Sequence, residues 1–341
     1  MSIRMAVIGV GIMGSDHAKI IAEDLPGAKL QVICDMDKSK AKSVADAHGA
    51  QDISTDPEGV IIRGDVDAVI ISSPDFTHAP LAKACITAGK RVLCEKPLSD
   101  SSIECLDVMA AEKNSNALYV MLGFMRRFDQ SYVEMKAALD NNNLGRALMM
   151  HNFHRNVEIP TSDFSASMAI SNSAPHEFDV ARYVLGTEFA SIAAFKPHRA
   201  DGKVAPVIMV LETVDDQLVT IEINNNAAYG YDVRAELVGE TGSISINNNA
   251  NTRTDTNFSS STSYDADWRS RFHDAYIHQN RNFLNFVKTG YFPEIASDCW
   301  DGYCTALVAE SGIKSLLSGT KQRIRLIPKP ELYRNREGVM A

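Results

Sequence analysis

The spacing Gly9-Val10-Gly11-Ile12-Met13-Gly14 suits the binding of a pyrophosphate. It follows a short apolar run, Met5-Ala6-Val7-Ile8, and opens a helical pattern that continues to about Asp24. In such a loop Gly9 permits the tight turn, Gly11 lets the backbone approach the phosphates, and Gly14 lets helix and strand pack closely. The helix start at Ile12 and Met13 then offers N–H donors and the positive end of a dipole. Glycine triplets also occur in ordinary turns, so the motif needs its context. Asp35 provides it by ending the next apolar strand about 20 residues on, where an acid accepts hydrogen bonds from the adenosine ribose. Asp35 would repel a 2′-phosphate, which favours NAD over NADP. Lys38 and Lys40 lie close by and read as solvated charges on the following helix. A second reactive group is Lys96, in Cys94-Glu95-Lys96-Pro97-Leu98. It follows an apolar strand, and ligands bind at the carboxyl ends of parallel strands. A lysine there can hydrogen-bond a reacting hydroxyl and stabilise charge developing on its oxygen. It reads equally as a surface lysine paired with Glu95.

These residues need a scaffold, and the first 120 or so residues supply an alternation of strands and helices. Leu30–Cys34, Ala68–Ile71, Arg91–Cys94 and Leu118–Met121 are apolar on both faces, and helical stretches separate them. That is the mark of a parallel sheet covered on both sides. After Gly123 the pattern changes. A helix over Gln130–Asp140 precedes longer, alternating strands within Ala147–Arg155, Ser191–Lys196, Val207–Thr213, Leu218–Asn224 and Asp232–Gly239. Alternation predicts an antiparallel sheet with one buried face. Residues 247–263 read as a polar loop, and Trp268–Lys288 and Trp300–Leu317 as two late helices. The expected class is α/β. Residues 1–123 form a dinucleotide-binding domain, and residues 124–341 a substrate-binding and oligomerisation domain.

Composition narrows the partners. Across 341 residues, 34 Lys and Arg face 43 Asp and Glu, for a net charge of −9. Nucleic-acid binding needs a basic face, so it is disfavoured, as is attraction to anionic lipid. No apolar run approaches the ~20 residues of a membrane span, and no secretory leader is visible at the N-terminus. The six cysteines include no C-x-x-C pair, which suggests a reduced, cytoplasmic protein with buried thiols and no metal site.

The glycine motif together with Glu95-Lys96-Pro97 resembles the glucose-fructose oxidoreductase/inositol dehydrogenase/rhizopine catabolism superfamily. Further segments are similar to its inositol 2-dehydrogenases. They are Gly123-Phe124-Met125-Arg126-Arg127-Phe128-Asp129, His154-Arg155-Asn156, His176-Glu177-Phe178-Asp179, Tyr229-Gly230-Tyr231-Asp232, Asp267-Trp268 and Trp300-Asp301-Gly302-Tyr303. The resemblance implies a Rossmann domain followed by an α/β domain with a large, open, mostly antiparallel sheet. The outer face of that sheet would pair subunits, commonly into tetramers.

It also implies chemistry. Oxidation of a secondary alcohol sends a hydride to the nicotinamide and a proton to a base, a role that suits histidine. The family assigns that base to the position of His176, which could otherwise pack at a helix start. Lys96 would assist, with the Lys96–Pro97 bond cis. Relatives carry aspartate where this chain has Asn172, which can orient a polyol but cannot take a proton. The polyol pocket would draw on Met125, Arg126, His154, Asn156, Asn172, Asp179 and Tyr231. Asp179 could instead cap a helix or pair with Arg182, Tyr231 could simply be packed, and Arg126 could bind backbone carbonyls. Ser72, Ser73, Pro74, His78, Glu95 and Arg126 would join the cofactor site. His78 could equally cap the following helix.

The expected activity is NAD-dependent oxidation of myo- or scyllo-inositol to a keto-inositol. A monosaccharide or anhydrosugar dehydrogenase is the alternative in the same class. A dinucleotide-binding regulator without turnover is the alternative outside it, and the presence of both Lys96 and His176 weighs against that reading.

Overall fold

The structure, a computed structural model, describes residues 2–199, 204–246 and 253–334. The chain divides into two compact units. The first holds the residues up to Met125, Tyr276–Ala306 and those from Leu326 on, and the second holds Arg126–Ala275 and Leu307–Arg325.

The first unit is built on β1 (Ile3–Ile8), α1 (Ile12–Glu23), β2 (Ala28–Cys34), α2 (Lys38–His48), β3 (Asp52–Ser54), α3 (Pro57–Ile61), β4 (Ala68–Ile71), α4 (His78–Thr87), β5 (Arg91–Cys94), α5 (Ser102–Ser115) and β6 (Val120–Leu122). All six strands are parallel, in the order β3-β2-β1-β4-β5-β6. This is the doubly wound arrangement, and its order reverses between β1 and β4. Every residue of β4 is buried, which explains the unbroken apolar run. Local signals set the helix ends. Asp37 caps α2 through the N–H groups of Ser39 and Lys40, and Gly49 closes it in the left-handed region at φ 71°. Ser101 caps α5 and Asn116 closes it at φ 51°.

The sequence places everything after Gly123 in the second domain, but the described part of Tyr276–Ala306 and Leu326–Arg334 packs with the first unit. Side chains distant in sequence account for this. Asn280 meets His17, the Arg91 guanidinium lies 5.0 Å from the centre of the Phe286 ring, and Leu122 N–H donates to the Ser297 carbonyl at 2.9 Å. The Tyr333 hydroxyl donates to Glu112 Oε2 at 2.7 Å.

Glu112 is fully buried and also accepts the N–H groups of Tyr119 and Val120 at 2.7 and 2.8 Å. Burial dominates these bonds and pushes its carboxyl from an ordinary 4.5 up to about 7. The folded state therefore holds the proton more tightly than the unfolded chain. The resulting stability is complete below the ordinary value and is lost as pH rises towards 7, by about 3 kcal/mol in all. Glu112→Gln is expected to flatten that slope. Urea midpoints measured from about pH 5 to 8 test this, and a variant with the wild-type slope would refute it.

The second unit contains α6 (Gln130–Asp140), β7 (Ala147–Arg155), α7 (Ala166–Met168), α8 (Pro175–Leu185), β8 (Phe189–Phe195), β9 (Val207–Thr213), β10 (Leu218–Asn224), β11 (Asp232–Gly239), β12 (Ser243–Ser245), β13 (Arg253–Thr256), β14 (Ser259–Thr262) and α9 (Trp268–Arg271). Three later helices follow in the chain, α10 (His273–Thr289), α11 (Cys299–Ser318) and α12 (Glu331–Arg334), and β15 (Gln322–Arg323) returns to the sheet of the second unit. That sheet runs β12-β11-β7-β10-β9-β8-β15 and is antiparallel except where β10 pairs with β7. Alternate residues are buried along β9 and β10, as their period-two pattern requires. One face packs under helices. At Gly312 an added Cβ would stand 3.1 Å from both Ile170 and Ile192.

The predicted polar loop is partly ordered. β13 and β14 form an exposed antiparallel hairpin, with Asn257 and Phe258 at positive φ in its turn. Backbone pairing rather than burial organises it, so no hydrophobic period announces it. Residues 247–252 lie outside the described residues.

Candidate active site

The glycine loop between β1 and α1 separates its three glycines by role. Gly9 has φ 83°, and an added Cβ would fall 2.5 Å from the Ser73 backbone. At Gly14 it would lie 1.8 Å from the Gly9 carbonyl oxygen. At Gly11 it would meet nothing within 4 Å. Gly9 and Gly14 thus keep the fold closed, while Gly11 borders the space a pyrophosphate needs. No side chain caps the first turn of α1, and that turn carries no acid, so its N–H groups and dipole face an anion unopposed. Asp35 stands beside the loop and accepts the N–H of Val10 at 2.8 Å and of Asp37 at 2.9 Å. Each carboxylate oxygen keeps accepting capacity for a ribose hydroxyl. Gly11→Ala is expected to preserve the unfolding midpoint yet weaken NAD binding, whereas Gly14→Ala lowers both. Calorimetric NAD titration beside urea unfolding tests this, and equal losses in the two variants would refute it.

The ends of β4 and β5 carry Ser72, Ser73, Pro74, Glu95 and Lys96, next to the reversal of strand order. The Ser72 hydroxyl donates to the Gly9 carbonyl at 2.8 Å. His78, expected at the cofactor, is buried with Nδ1 2.6 Å from the Pro97 carbonyl oxygen and Nε2 2.8 Å from that of Ser73. Its ring therefore ties two strand-end loops together. Glu95 is also engaged internally. Its Oε1 lies 3.0 Å from His17 Nε2, and Oε2 accepts the Lys96 N–H at 3.3 Å. Gly123 leaves room for that carboxylate, since a Cβ there would stand 2.8 Å from it. Lys96 itself is half-buried, and the Lys96–Pro97 bond is cis.

The remaining candidates belong to the second unit, apart from Met125, which ends the first and is buried. Asn172 lies in a π-helical turn, Ala169–Ser173, closed by the Ala174 N–H on the Ala169 carbonyl at 3.0 Å. Such turns recur at functional sites. Pro175 then starts α8, placing His176 in its first turn. Almost every residue of α8 is buried, and three carry charge inwards or sideways. Glu177 pairs with Arg126 and lies 3.1 Å from His154 Nδ1. Asp179 forms a two-pronged bridge to Arg127 at 2.8 and 2.6 Å. Arg182 pairs with Glu188 at 2.6 and 2.7 Å.

The Arg126 guanidinium does not lie on backbone carbonyls. It is buried against Glu177, 5.4 Å from the centre of the Phe272 ring. Desolvation opposes ionisation of Glu177, but Arg126 and His154 overcome it and hold the carboxyl below its usual value. Tyr231 meets His154 and Phe272 edge-on, and burial pushes its hydroxyl up to about 12. Asn156 Nδ2 stands 3.3 Å from His154 Nε2. The second unit thus joins buried Arg126, Glu177 and His154 to half-buried Asn156 in one chain, with Tyr231 against it.

Two family models match the chain. One, an oxidoreductase family with an NAD-binding Rossmann fold, covers residues 3–124, and the other, the GFO/IDH/MocA C-terminal domain, covers residues 132–245. The chain is 42% identical over 341 residues to inositol 2-dehydrogenase 2 of Saccharopolyspora erythraea, with 98% of each covered. The chain belongs to the GFO/IDH/MocA oxidoreductase family. It is also 34% identical to an inositol 2-dehydrogenase/D-chiro-inositol 3-dehydrogenase of Shouchella clausii, with 98% of each covered. The crystal structure of myo-inositol dehydrogenase from Lactobacillus casei, in complex with NAD(H) and myo-inositol, superposes with a TM-score of 0.93. That match has 26% identity and covers 98% of this chain and all of the other. This family member is an oxidoreductase that uses NAD, and the open space at Gly11 and the lone pairs of Asp35 fit that cofactor.

Sequence reasoning missed the groups that act on other side chains. His17 and Asn280 hold Glu95, Glu177 holds Arg126 and His154, and Arg127 holds Asp179. Glu177 stood in the segment His176-Glu177-Phe178-Asp179, but nothing local named its partners. His17 and Asn280 carried no signal, since they are far apart in the chain.

Proposed function

We propose that this chain is an NAD-dependent inositol dehydrogenase that oxidises a ring hydroxyl of myo- or scyllo-inositol to the keto-inositol. The observation that carries this reading is the full-length similarity to inositol 2-dehydrogenase 2 of Saccharopolyspora erythraea. In this reading His176 takes the hydroxyl proton, and Lys96 hydrogen-bonds the same oxygen and stabilises its developing charge. Bound NAD supplies the hydride acceptor. Asn172 orients a neighbouring hydroxyl, and His154, Asn156, Asp179, Tyr231, Arg126 and Met125 shape the polyol site. Ser72, Ser73 and Pro74 flank the cofactor, with His78 and Glu95 holding the loops that meet it.

NADH formation across a panel of inositol isomers and pyranoses tests the reading. Turnover of pyranoses alone would replace inositol with a sugar as substrate, and NAD binding without turnover would favour a regulator. Asn172→Asp is expected to change relative kcat/KM among inositol isomers by about tenfold, the scale of one hydrogen-bond difference. Unchanged ratios would remove Asn172 from specificity.

A homotetramer in the cytoplasm completes the proposal. The half-exposed sheet face carries Met149, Phe195, Ile208 and Leu218 among the exposed apolar residues, a surface suited to another copy. Light scattering on the purified chain tests the subunit number. No helix among the described residues is long and apolar enough to cross a membrane.

A further inference from the structure

An imidazole on the buried face of a helix needs polar partners, and α1 carries one. Gly14, His17, Ala18 and Ile21 line its buried stripe at the i, i+3, i+4, i+7 spacing of one helix face. His17 is fully buried, and both ring nitrogens are engaged. Nε2 lies 3.0 Å from Glu95 Oε1. Nδ1 faces the Asn280 side-chain amide, 3.2 Å from Oδ1 and 3.1 Å from Nδ2. Asn280 Nδ2 also donates to the Tyr276 carbonyl at 2.8 Å, and the Tyr276 ring meets the imidazole edge-on. An amide presented in this way accepts from a protonated Nδ1 or donates to a bare one. Nε2 can thus keep its proton on Glu95 whether the ring is neutral or charged. Glu95 is confined in its turn. It is buried, its N–H donates to the Ile71 carbonyl at 2.8 Å, and Oε2 accepts the Lys96 N–H at 3.3 Å. A Cβ at Gly123 would stand 2.8 Å from the same carboxylate. The bond to Ile71 ties Glu95 to β4, and one residue later its carboxylate holds the backbone of Lys96. All these groups belong to the first unit.

We propose that His17 is a positioning residue, which through Glu95 places Lys96 from the same helix whose N-terminus faces the cofactor pyrophosphate. The lysine and the dinucleotide then share one frame of reference. That matters because a misplacement of about 1 Å at a reacting group can cost about 10²-fold in rate. The kinetic part of this inference rests on the dehydrogenase reading above, while the link from His17 to Lys96 does not.

The test compares His17→Gln with His17→Met in the whole enzyme. The two side chains have nearly the same length and shape, but only the glutamine ends in groups able to bond Glu95. A packing role would therefore leave the variants alike, and a positioning role parts them. The first readout is hydrogen exchange at the Lys96 amide, followed with lysine labelled in nitrogen-15 and NAD bound, the signal being assigned by its loss in Lys96→Arg. Exchange is expected to stay within about threefold of wild type in His17→Gln and to be at least about tenfold faster in His17→Met, the scale of one hydrogen bond to a charged group. The second readout is kcat, expected to fall by about 10–100-fold in His17→Met and to stay within about threefold of wild type in His17→Gln. NAD affinity should stay within about threefold of wild type in both, because the N-terminus of α1 is unchanged. Wild-type exchange at Lys96 in His17→Met would overturn the inference, as would equal kcat in the two variants. If His17→Met does not fold, His17→Gln decides, with wild-type exchange supporting the inference and faster exchange overturning it. Failure of His17→Gln to fold would overturn it as well, since the other contacts of the imidazole would then outweigh its bond to Glu95. If no polyol is turned over, the proposed activity fails, and the Lys96 amide alone judges the link.

Discussion

Replacing Lys96 by alanine is expected to lower kcat by about 10²–10³, the loss seen when one donor to a developing oxyanion is removed. His176→Ala is expected to lower it by about 10²–10⁴, the range of a positioned general base. In the proposed reading both side chains act on one oxygen, Lys96 donating to it as charge develops and His176 removing its proton. Groups acting as a unit lose their effect together, so the double variant should be little slower than the slower single variant. Lys96 is half-buried, so its truncation opens little space, whereas His176 is buried in the first turn of α8 and its loss is expected to lower the urea midpoint somewhat. NAD titration should stay near wild type in both variants. Initial rates at saturating NAD and polyol check the expectation. Turnover in Lys96→Ala within tenfold of wild type would remove the lysine from the chemistry and leave the site without its oxyanion partner.

A second large effect is expected at Asp179, for a different reason. Arg127 and Asp179 are both buried, and Arg127 also lies 5.4 Å from the centre of the Tyr183 ring. Asp179→Ala removes a counter-charge from a buried guanidinium, which costs about 3–5 kcal/mol. Replacing the pair together, Arg127→Met with Asp179→Leu, removes both desolvation penalties and is expected to restore most of the stability. The double variant therefore separates two roles that the single variant confuses. If Asp179 also touches substrate, the restored protein should still show a polyol KM raised by about tenfold or more. If its carboxylate serves only Arg127, KM should return with the fold. Urea midpoints and polyol KM on the same preparations settle the choice. A single variant as stable as wild type would show that the pair contributes little.

Much of the scaffold was legible because its signals are local. The β1–α1 glycines, Asp35 at the end of β2 and the apolar runs of β4 and β5 each announce themselves within a few residues. Parallel strands buried on both faces cannot be mistaken for alternating ones. Helix α2 matches its sequence pattern because the Asp37 cap and the Gly49 stop lie in the same short window, and α6 matches without any side-chain cap. Helix α8 was recognised only at His176. It is buried nearly all round, so it lacks the polar face that makes a helical period visible. β3 and α3 were too short to show a period at all.

The sequence by itself determined the cofactor class through the glycine spacing and Asp35, while its family resemblance carried the reaction class and nominated Lys96 and His176 for it. Only the tertiary structure decided which charges answer one another. Arg126 met Glu177 rather than a carbonyl, Asp179 met Arg127, and His78 and Glu95 were drawn into holding neighbouring loops. A buried charge takes whichever partner the packed fold brings within reach, and that distance is set by elements tens to hundreds of residues apart. No local pattern in the chain encodes it.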